Sequence, residues 1–291
     1  MDQRFERAAE DLGNIVNFGH ANFRVPDQRL ATLFYISGLG LTRDPAMMTG
    51  VDNMWVNAGD SQFHLPTGKP VVGPGIVTGL VVPDLDALRG RLTRVGDLLA
   101  GTEFSFYETD GAIETTCPWG NRMRCHAPDE ERFGRTVLGI AYSEFEIARG
   151  RAGKIARFYT DVMGAIARVD EAAGEKRARV SCGDHQYLYF YEKADPAPPC
   201  AEHHVQIYVA NFSGPYRRLM QAGLNLEESS QHQYRFLTIP DVETKQTLFV
   251  LDHEVRSMTH PMYGRALVNR NAAQTTRDYR AGHDFLAWKK A

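Results

Sequence analysis

The sequence has no excess of charge of one sign and no long hydrophobic run, and each absence excludes a class of partner. A net charge of -3 over 291 residues leaves no basic face that could neutralise a phosphate backbone, so we expect no nucleic-acid partner. The longest apolar runs, such as GIVTGLVV, have the length of a strand and fall far short of the ~20 residues of a membrane helix. We therefore expect no membrane association.

Cysteine is also scarce. The chain has four cysteines, at positions Cys117, Cys125, Cys182 and Cys200, none of them in C-x-x-C spacing, and no cationic and apolar signal sequence precedes them. This pattern predicts reduced thiols and a cytoplasmic protein. Phosphate-binding loops are missing too, because AAGEK (172–176) lacks P-loop spacing.

What the sequence does contain is an internal repeat. AGDSQFHLP (58–66) matches CGDHQYLYF (182–190) at an offset of 124 residues, which aligns His64 with Leu188. The same offset aligns LFYISGLG with RFYTDVMG, and it predicts a helix ending on a glycine, Gly40 and again Gly164. Further matches at offsets of 122 and 127 follow in the same order. The repeat indicates two duplicated modules.

Each module reads as strand, helix and three strands, twice over. In the first module the predicted ranges are 18–25, 28–38 (helix), 44–48, 52–58 and 61–66, then 76–82, 84–95 (helix), 103–109, 112–116 and 121–126. We predict an α+β fold of four βαβββ units. The predicted domains are an N-terminal segment (1–17), two modules (18–134 and 135–253) and a C-terminal extension (254–291).

The pattern resembles the vicinal oxygen chelate superfamily, which includes glyoxalases, extradiol dioxygenases, methylmalonyl-CoA epimerases, and bleomycin- and fosfomycin-resistance proteins. The motifs that carry this resemblance are GHANFRVPD, GLVVPDLDAL, CPWGNRMRC, HHVQIYVAN and IPDVETKQTLFV. The resemblance implies that pairs of units form open cup-like mixed β-sheets with helices outside. It also implies a divalent metal on the inner face, held by the first and last strands of each unit.

Alternation along these strands predicts which side chains face the inside of a cup, because residues i and i+2 share a face. Apolar residues such as Ala21, Phe63 and Ile207 should pack beneath the helices. The predicted inward set comprises His20, Asn22 and Arg24 in the first strand, Gln62 and His64 in the fourth, and His204, Gln206 and Tyr208 near residue 204.

The resemblance also implies positions for the metal ligands. They fall on His20, His64, Val77 and Arg124 in the first module and on Tyr142, Leu188, His204 and about Thr247 in the second. Extradiol dioxygenases use two histidines and a glutamate in their second module, where this chain has Tyr142 and Thr247 in place of a histidine and the glutamate. We therefore expect no ordinary iron-dependent catechol cleavage.

Two arrangements of the four units are open. If each module closes its own cup, the histidines are divided between two sites. If unit one pairs with unit four and unit two with unit three, His20, His64 and His204 lie in one site. Three imidazoles can hold Fe, Zn, Ni or Mn and leave positions open for a substrate.

Other polar side chains are candidates for contact with a substrate. Tyr142 and Glu144 are candidate catalytic residues, and Arg124, Gln62 and Tyr208 are candidate substrate-binding residues, with Arg124 able to clamp a carboxylate. The C-terminal extension is rich in aromatic and arginine residues, which disfavours disorder. It could close one cup as a lid, bind a neighbouring subunit in a homodimer, or pack as a simple extension.

These observations favour a metal-dependent enzyme, glyoxalase-like or dioxygenase-like, acting on the vicinal oxygens of a small aromatic or oxo-acid substrate. The absence of an acidic ligand favours the alternative of a metal-free binding or resistance protein. A third hypothesis is that the duplication serves assembly and that neither cup is functional.

Overall fold

The computed structural model describes residues 6–44, 51–224 and 227–265, and it contains the four predicted βαβββ units. Unit one consists of β1 (Ile15–Asn22), β2 (Thr42–Arg43), β3 (Asn53–Ala58) and β4 (Ser61–Pro66). Unit two consists of β5 (Ile76–Val81), β6 (Ser105–Thr109), β7 (Ala112–Thr116) and β8 (Arg122–His126). Unit three consists of β9 (Gly139–Ala148), β10 (Ala167–Ala172), β11 (Glu175–Gly183) and β12 (Gln186–Lys193). Unit four consists of β13 (His204–Val209), β14 (Glu227–Ser230), β15 (Gln233–Pro240) and β16 (Thr247–Ser257).

A helix follows the first strand of every unit. These helices are α1 (Gln28–Ala31), α2 (Leu85–Gly96), α4 (Ala152–Phe158) and α5 (Ser213–Gln221), and a short α3 (Glu130–Phe133) joins units two and three. A π-helical segment extends α1 over Thr32–Gly38, and another extends α4 over Tyr159–Met163. No helix in the described part of the chain is long and apolar enough to cross a membrane.

The units pair as one with four and two with three. One eight-stranded sheet has the order β14-β15-β16-β13-β1-β4-β3-β2, and the other has the order β10-β11-β12-β9-β5-β8-β7-β6. We call the sheet of units one and four the first cup and the sheet of units two and three the second cup. Each cup is therefore built from both modules, which is the second of the two arrangements considered above. The strands β1 and β13 meet antiparallel at the centre of the first cup.

The alternation predicted for the strands is confirmed. Ala21, Phe63 and Ile207 have no exposed surface, and they belong to one hydrophobic cluster that draws residues from both sheets. Burial of such side chains contributes roughly 1.5–3 kcal/mol each. The hydrophobic faces therefore fix the direction of the polar faces, which are left to line the two cups.

The first predicted helix is confirmed in position. Asp27 caps its N-terminus by accepting hydrogen bonds from the backbone N–H groups of Arg29 and Leu30. Gly40 and Gly164 end the two repeated helices with φ of +76° and +70°, which glycine adopts without strain. The structure has a strand at Thr42–Arg43. Most of the strand predicted at 44–48 lies outside the described residues, because the first described range ends at residue 44.

Gly59, in the turn between β3 and β4, is expected to tolerate no side chain. Its φ is +61°, and a Cβ built there would lie 1.8 Å from the carbonyl oxygen of Leu138, which is backbone and cannot move aside alone. We expect Gly59→Ala to lower the free energy of unfolding by about 2 kcal/mol or more. Gly111, in the β6–β7 turn, is the control, because it has a φ of +74° and nothing within 4 Å. Equal losses for the two variants in urea denaturation would contradict the steric explanation.

Candidate metal centre

Three imidazoles from three strands meet on the inner face of the first cup. His20 lies on β1, His64 on β4 and His204 on β13, and one ring nitrogen of each lies within 4.8 Å of the others. The Nε2 atoms of His20 and His204 are 3.0 Å apart. Trp55 stacks on the His64 ring, with ring centroids separated by 3.9 Å. Side chains 184 residues apart in sequence thus come within reach of one ion.

The three imidazoles are neutral near pH 7. Burial, followed by the charge of neighbouring groups, holds the pKa of His20 and that of His204 well below the ordinary 6.5. Burial and the nearby Arg256 and Arg235 guanidinium groups lower the pKa of His64 to about 4. A neutral imidazole keeps a lone pair for a metal, so protons compete weakly for these ligands.

Hydrogen bonds assign the proton positions on these rings. The Nδ2 group of Asn22 donates to Nδ1 of His64 over 2.8 Å, so Nε2 of His64 donates to Oδ1 of Asn53 over 2.7 Å. An Arg235 Nη2–H donates to Nδ1 of His204 over 3.2 Å, which leaves the proton of that ring on Nε2. To hold a metal at Nε2, either ring would have to carry its proton on Nδ1 instead, and the hydrogen bond from Asn22 to His64 or from Arg235 to His204 would be lost.

The sequence-based position of the fourth ligand, about Thr247, is wrong. In unit one His64 lies opposite Asn22, two residues after His20, and in unit four Glu254 lies opposite Gln206, two residues after His204. Glu254 is therefore the counterpart of His64. One of its carboxylate oxygens lies 3.8 Å from Nε2 of His204. An acidic side chain therefore stands at this position, seven residues beyond Thr247 on β16.

Glu254 is a buried carboxylate between two arginines. Its Oε1 pairs with Nη2 of Arg256 over 2.7 Å, and its Oε2 lies 3.8 Å from Nη1 of Arg235. Burial raises its pKa, while Arg256 and Arg235 oppose that shift. Its Oε2 lies beside His204 but outside the group of three histidine nitrogens that lie within 4.8 Å of one another, and the four donors are of types that suit a divalent transition metal.

The position predicted in unit three is also wrong, by one residue. Leu188 is completely buried in the core, and Tyr189 faces the cup. The hairpin turn is Gly59–Asp60 in unit one but Asp184–His185 in unit three, so the offset of 124 fails beyond the turn. A slip of one residue moves a side chain to the other face of the sheet.

A polar cavity of about 340 Å³ lies beside strands β1, β4 and β13, which carry the three histidines. It is lined by Gln62 and Gln206, which flank His20 on the neighbouring strands, and by Tyr208, Arg256 and Tyr263. The amide nitrogen of Gln206 is buried without a hydrogen-bond partner in the described structure. The amide group of Gln62, in contrast, donates to Asp44 and Asn57.

The beginning of the C-terminal extension covers this cavity. The ring of Tyr263 lies against that of Tyr208, with centroids 4.9 Å apart. Arg265 forms a buried ion pair with Asp44, at the far edge of the same sheet. Strand β16 itself continues to Ser257, and residues 266–291 of the extension lie outside the described residues.

Three other candidate residues lie in the second cup, away from the histidines. Arg124 on β8 pairs with Glu144 on β9 over 2.9 Å and also with Glu114. The hydroxyl of Tyr142 lies 2.7 Å from Nε2 of His126. The structure therefore brings Gln62 and Tyr208 to the metal-candidate side and places Tyr142, Glu144 and Arg124 in a separate site. Glu254 is the residue that the sequence reasoning missed, although the alternation in LDHEVRS pointed to it.

The buried His126 is expected to make the stability of the protein depend on pH. Burial, with Arg132 and Arg124 nearby, lowers its pKa to about 4, so between pH 6.5 and 4 the unfolded chain binds a proton that the folded chain does not. The contribution of neutral His126 to the free energy of unfolding is complete above pH 6.5 and is lost as the pH falls towards 4. In urea denaturation with chelator, the stability advantage of the wild type over His126→Asn should shrink from pH 7.5 to pH 5. A constant difference would contradict this assignment.

Known proteins resemble this chain in structure only. No protein-family profile matches the sequence, and no curated protein matches it. Glyoxalase I from Zea mays aligns over 84% of this chain and 92% of its own, with a TM-score of 0.60 and 12% identity. A Bacillus subtilis protein provisionally named a dioxygenase aligns over 91% of this chain and 89% of its own, with a TM-score of 0.56 and 15% identity. The cppA protein from Streptococcus pneumoniae aligns over 84% of this chain and 99% of its own, with a TM-score of 0.50 and 10% identity.

These similarities show the fold. Together with the four βαβββ units and the two open eight-stranded sheets, they establish that the chain has the vicinal oxygen chelate fold. The fold prediction from the sequence is confirmed.

Proposed function

We propose that the protein is a metal-dependent enzyme whose first cup binds a small organic substrate through two neighbouring oxygens. The observation that carries this proposal is the convergence of His20, His64 and His204 with Glu254 on one inner face. The ligand set implied by the family resemblance had no acidic residue, and in this proposal Glu254 supplies one. A bound Fe, Zn, Ni or Mn ion would act as a Lewis acid on substrate oxygens.

The residues of the chain would hold and orient the substrate beside that ion. Arg256 lines the cavity with its Nε and Nη2 groups engaged by Gln233 and Glu254, which would hold its guanidinium group in place beside a substrate oxygen. Gln206 offers an unsatisfied amide N–H to a substrate oxygen. Tyr263 and Tyr208 border the cavity on the side of the C-terminal segment.

The fold neighbours support an enzyme of the glyoxalase or dioxygenase type, since one is glyoxalase I and another is provisionally named a dioxygenase. These two names belong to the neighbouring proteins and not to this chain. For this chain the common chemistry we propose is chelation of vicinal oxygens, with the substrate and metal left to experiment.

A vicinal dihydroxy probe tests this proposal. Protein freed of metal with chelator and then loaded with Mn²⁺ is titrated with 4-nitrocatechol, whose absorption changes when both oxygens bind a metal. We expect a metal-dependent spectral shift that saturates at one probe per chain and disappears in His64→Ala. A site with three imidazoles binds Fe, Zn, Ni or Mn tightly. If the protein binds less than about a tenth of an equivalent of metal per chain after incubation with these ions, the hypothesis of a metal-dependent enzyme is rejected. Equal binding of the probe with and without metal would favour the alternative of a metal-free binding protein.

A further inference from the structure

The second cup contains a cavity of about 440 Å³ with no role in the proposed metal chemistry. Tyr187, Tyr189 and Tyr191 alternate along β12 and line it, while Leu188 and Phe190 between them are completely buried on the opposite face. Three phenol rings thus project into one cavity of the size that small-molecule sites have.

These rings follow one another along one side of the cavity, with Tyr191 inclined at 54° to Tyr189. Tyr187 and Tyr189 stack at 24° with centroids 5.5 Å apart. The Arg177 guanidinium lies over both Tyr189 and Tyr191, at 4.1 Å and 5.3 Å from their centroids. Arg177 is held in place by Asp170, whose carboxylate accepts its Nε–H over 2.6 Å, and by the Tyr191 hydroxyl at the same distance. Alternating rings and a guanidinium plane are a surface on which a planar molecule stacks.

One end of the cavity is polar and incompletely satisfied. The hydroxyl of Tyr142 lies 2.7 Å from Nε2 of His126, and both side chains are buried. The other ring nitrogen of His126, Nδ1, is buried without a hydrogen-bond partner in the described structure. A neutral imidazole uses this atom as donor or acceptor according to its tautomer, and a hydroxyl group satisfies either.

Two of the arginines that line the cavity, Arg124 and Arg177, are already paired with carboxylates. Arg124 is paired with both Glu114 and Glu144, so it has no free charge for a carboxylate ligand. A metal does not fit either, because Val77 and Arg124 occupy the positions of His20 and His64, and the arginine would repel a cation. The interactions left for a ligand are stacking and hydrogen bonding, and both suit a neutral molecule.

We propose that the second cup is a metal-free binding site for a planar phenol, with the ring on the wall of Tyr187, Tyr189 and Arg177 and the hydroxyl group at His126. This proposal is independent of the metal centre in the first cup. It also gives Tyr142 and Glu144 a place in ligand binding, through the hydrogen bond to His126 and the neutralisation of Arg124.

Calorimetric titration with 2-naphthol tests this site in the full-length protein, with chelator present so that the first cup holds no metal. We expect one molecule to bind per chain, and Tyr189→Leu to weaken binding about tenfold, since the variant loses the aromatic contact with the probe. Tyr187→Leu is a second variant with the same expected direction. Tyr107→Leu is the matched control, because Tyr107 is exposed on β6, and it should leave binding unchanged.

His20→Ala tests whether 2-naphthol binds in the first cup instead, and the anionic probe 2-naphthoate tests whether the site prefers a charged ligand. Binding of 2-naphthol should be the same in His20→Ala as in the wild type, and 2-naphthoate should bind more weakly than 2-naphthol. Failure of the wild type to bind 2-naphthol up to about 1 mM, which corresponds to about -4 kcal/mol, would overturn the proposal. So would unchanged affinity in both Tyr189→Leu and Tyr187→Leu, loss of binding in His20→Ala, or tighter binding of 2-naphthoate. None of these results bears on whether the first cup binds a metal.

Discussion

Replacing His20 with alanine is expected to lower the affinity of the protein for Mn²⁺ at least about 100-fold, because even partners that only orient a ligand change metal affinity 10–100-fold. His20 is buried, and its Nε2 atom lies 3.0 Å from that of His204 at the centre of the cluster. Nε2 of His64 and Nε2 of His204 each carry the ring proton and donate a hydrogen bond. Among the three rings, only His20 therefore accepts a hydrogen bond at Nε2, from His204. Its lone pair is therefore already directed at the site.

Equilibrium dialysis against Mn²⁺ measures this effect. His185→Ala is the control, since His185 is partly exposed at the β11–β12 turn and pairs with Asp184. Circular dichroism and urea denaturation of both variants separate loss of the ligand from loss of the fold. Retention of wild-type Mn²⁺ affinity by a folded His20→Ala variant would show that the ion is bound elsewhere.

The second large effect is expected for Glu254→Gln. The change keeps the size of the side chain and removes its charge, so the site loses its carboxylate with little change in packing. We expect Mn²⁺ affinity to fall by about 10–100-fold and metal-dependent 4-nitrocatechol binding to fall with it. The charges of Arg256 and Arg235, which Glu254 neutralises, then oppose the bound cation and add to the loss.

Asp252→Asn is the matched control for Glu254→Gln. Asp252 lies two residues earlier on the same face of β16 and is paired with Arg235. Its loss releases Arg235 but removes no proposed ligand, so we expect a smaller effect on Mn²⁺ affinity. A larger loss in Asp252→Asn than in Glu254→Gln would mean that the fourth ligand is Asp252.

The inner faces of the strands could be predicted from the sequence, because alternation is a local property. Phe63 and Leu65 are apolar and buried, and that fixes His64 on the other face. The same reasoning directed His20 and His204 inward. Which units share a cup could not be decided locally, since each unit presents the same polar face whichever partner it has. The pairing of β1 with β13 joins residues 184 positions apart, and no short pattern encodes such a contact.

Ligand positions on the fourth strands could not be obtained by carrying one offset through the repeat. Beyond the turn at Asp184–His185 the offset changes by one residue, and Leu188 is in the core where Tyr189 is in the cup. On β16, the alternation of Asp252, Glu254 and Arg256 with His253 and Val255 was visible in the sequence. The module boundary predicted at residue 253 falls within this strand, so the end of β16 lies outside the predicted module.

The existence of a single metal ion in the first cup is the central claim, and anomalous diffraction from crystals grown with Mn²⁺ tests it most directly. We expect one strong anomalous peak per chain, within about 2–2.5 Å of a ring nitrogen of His20, His64 and His204 and of an oxygen of Glu254. The second cup should show no such peak. A peak beside Arg124 and Tyr142, or no peak among the three histidines at saturating Mn²⁺, would contradict the assignment.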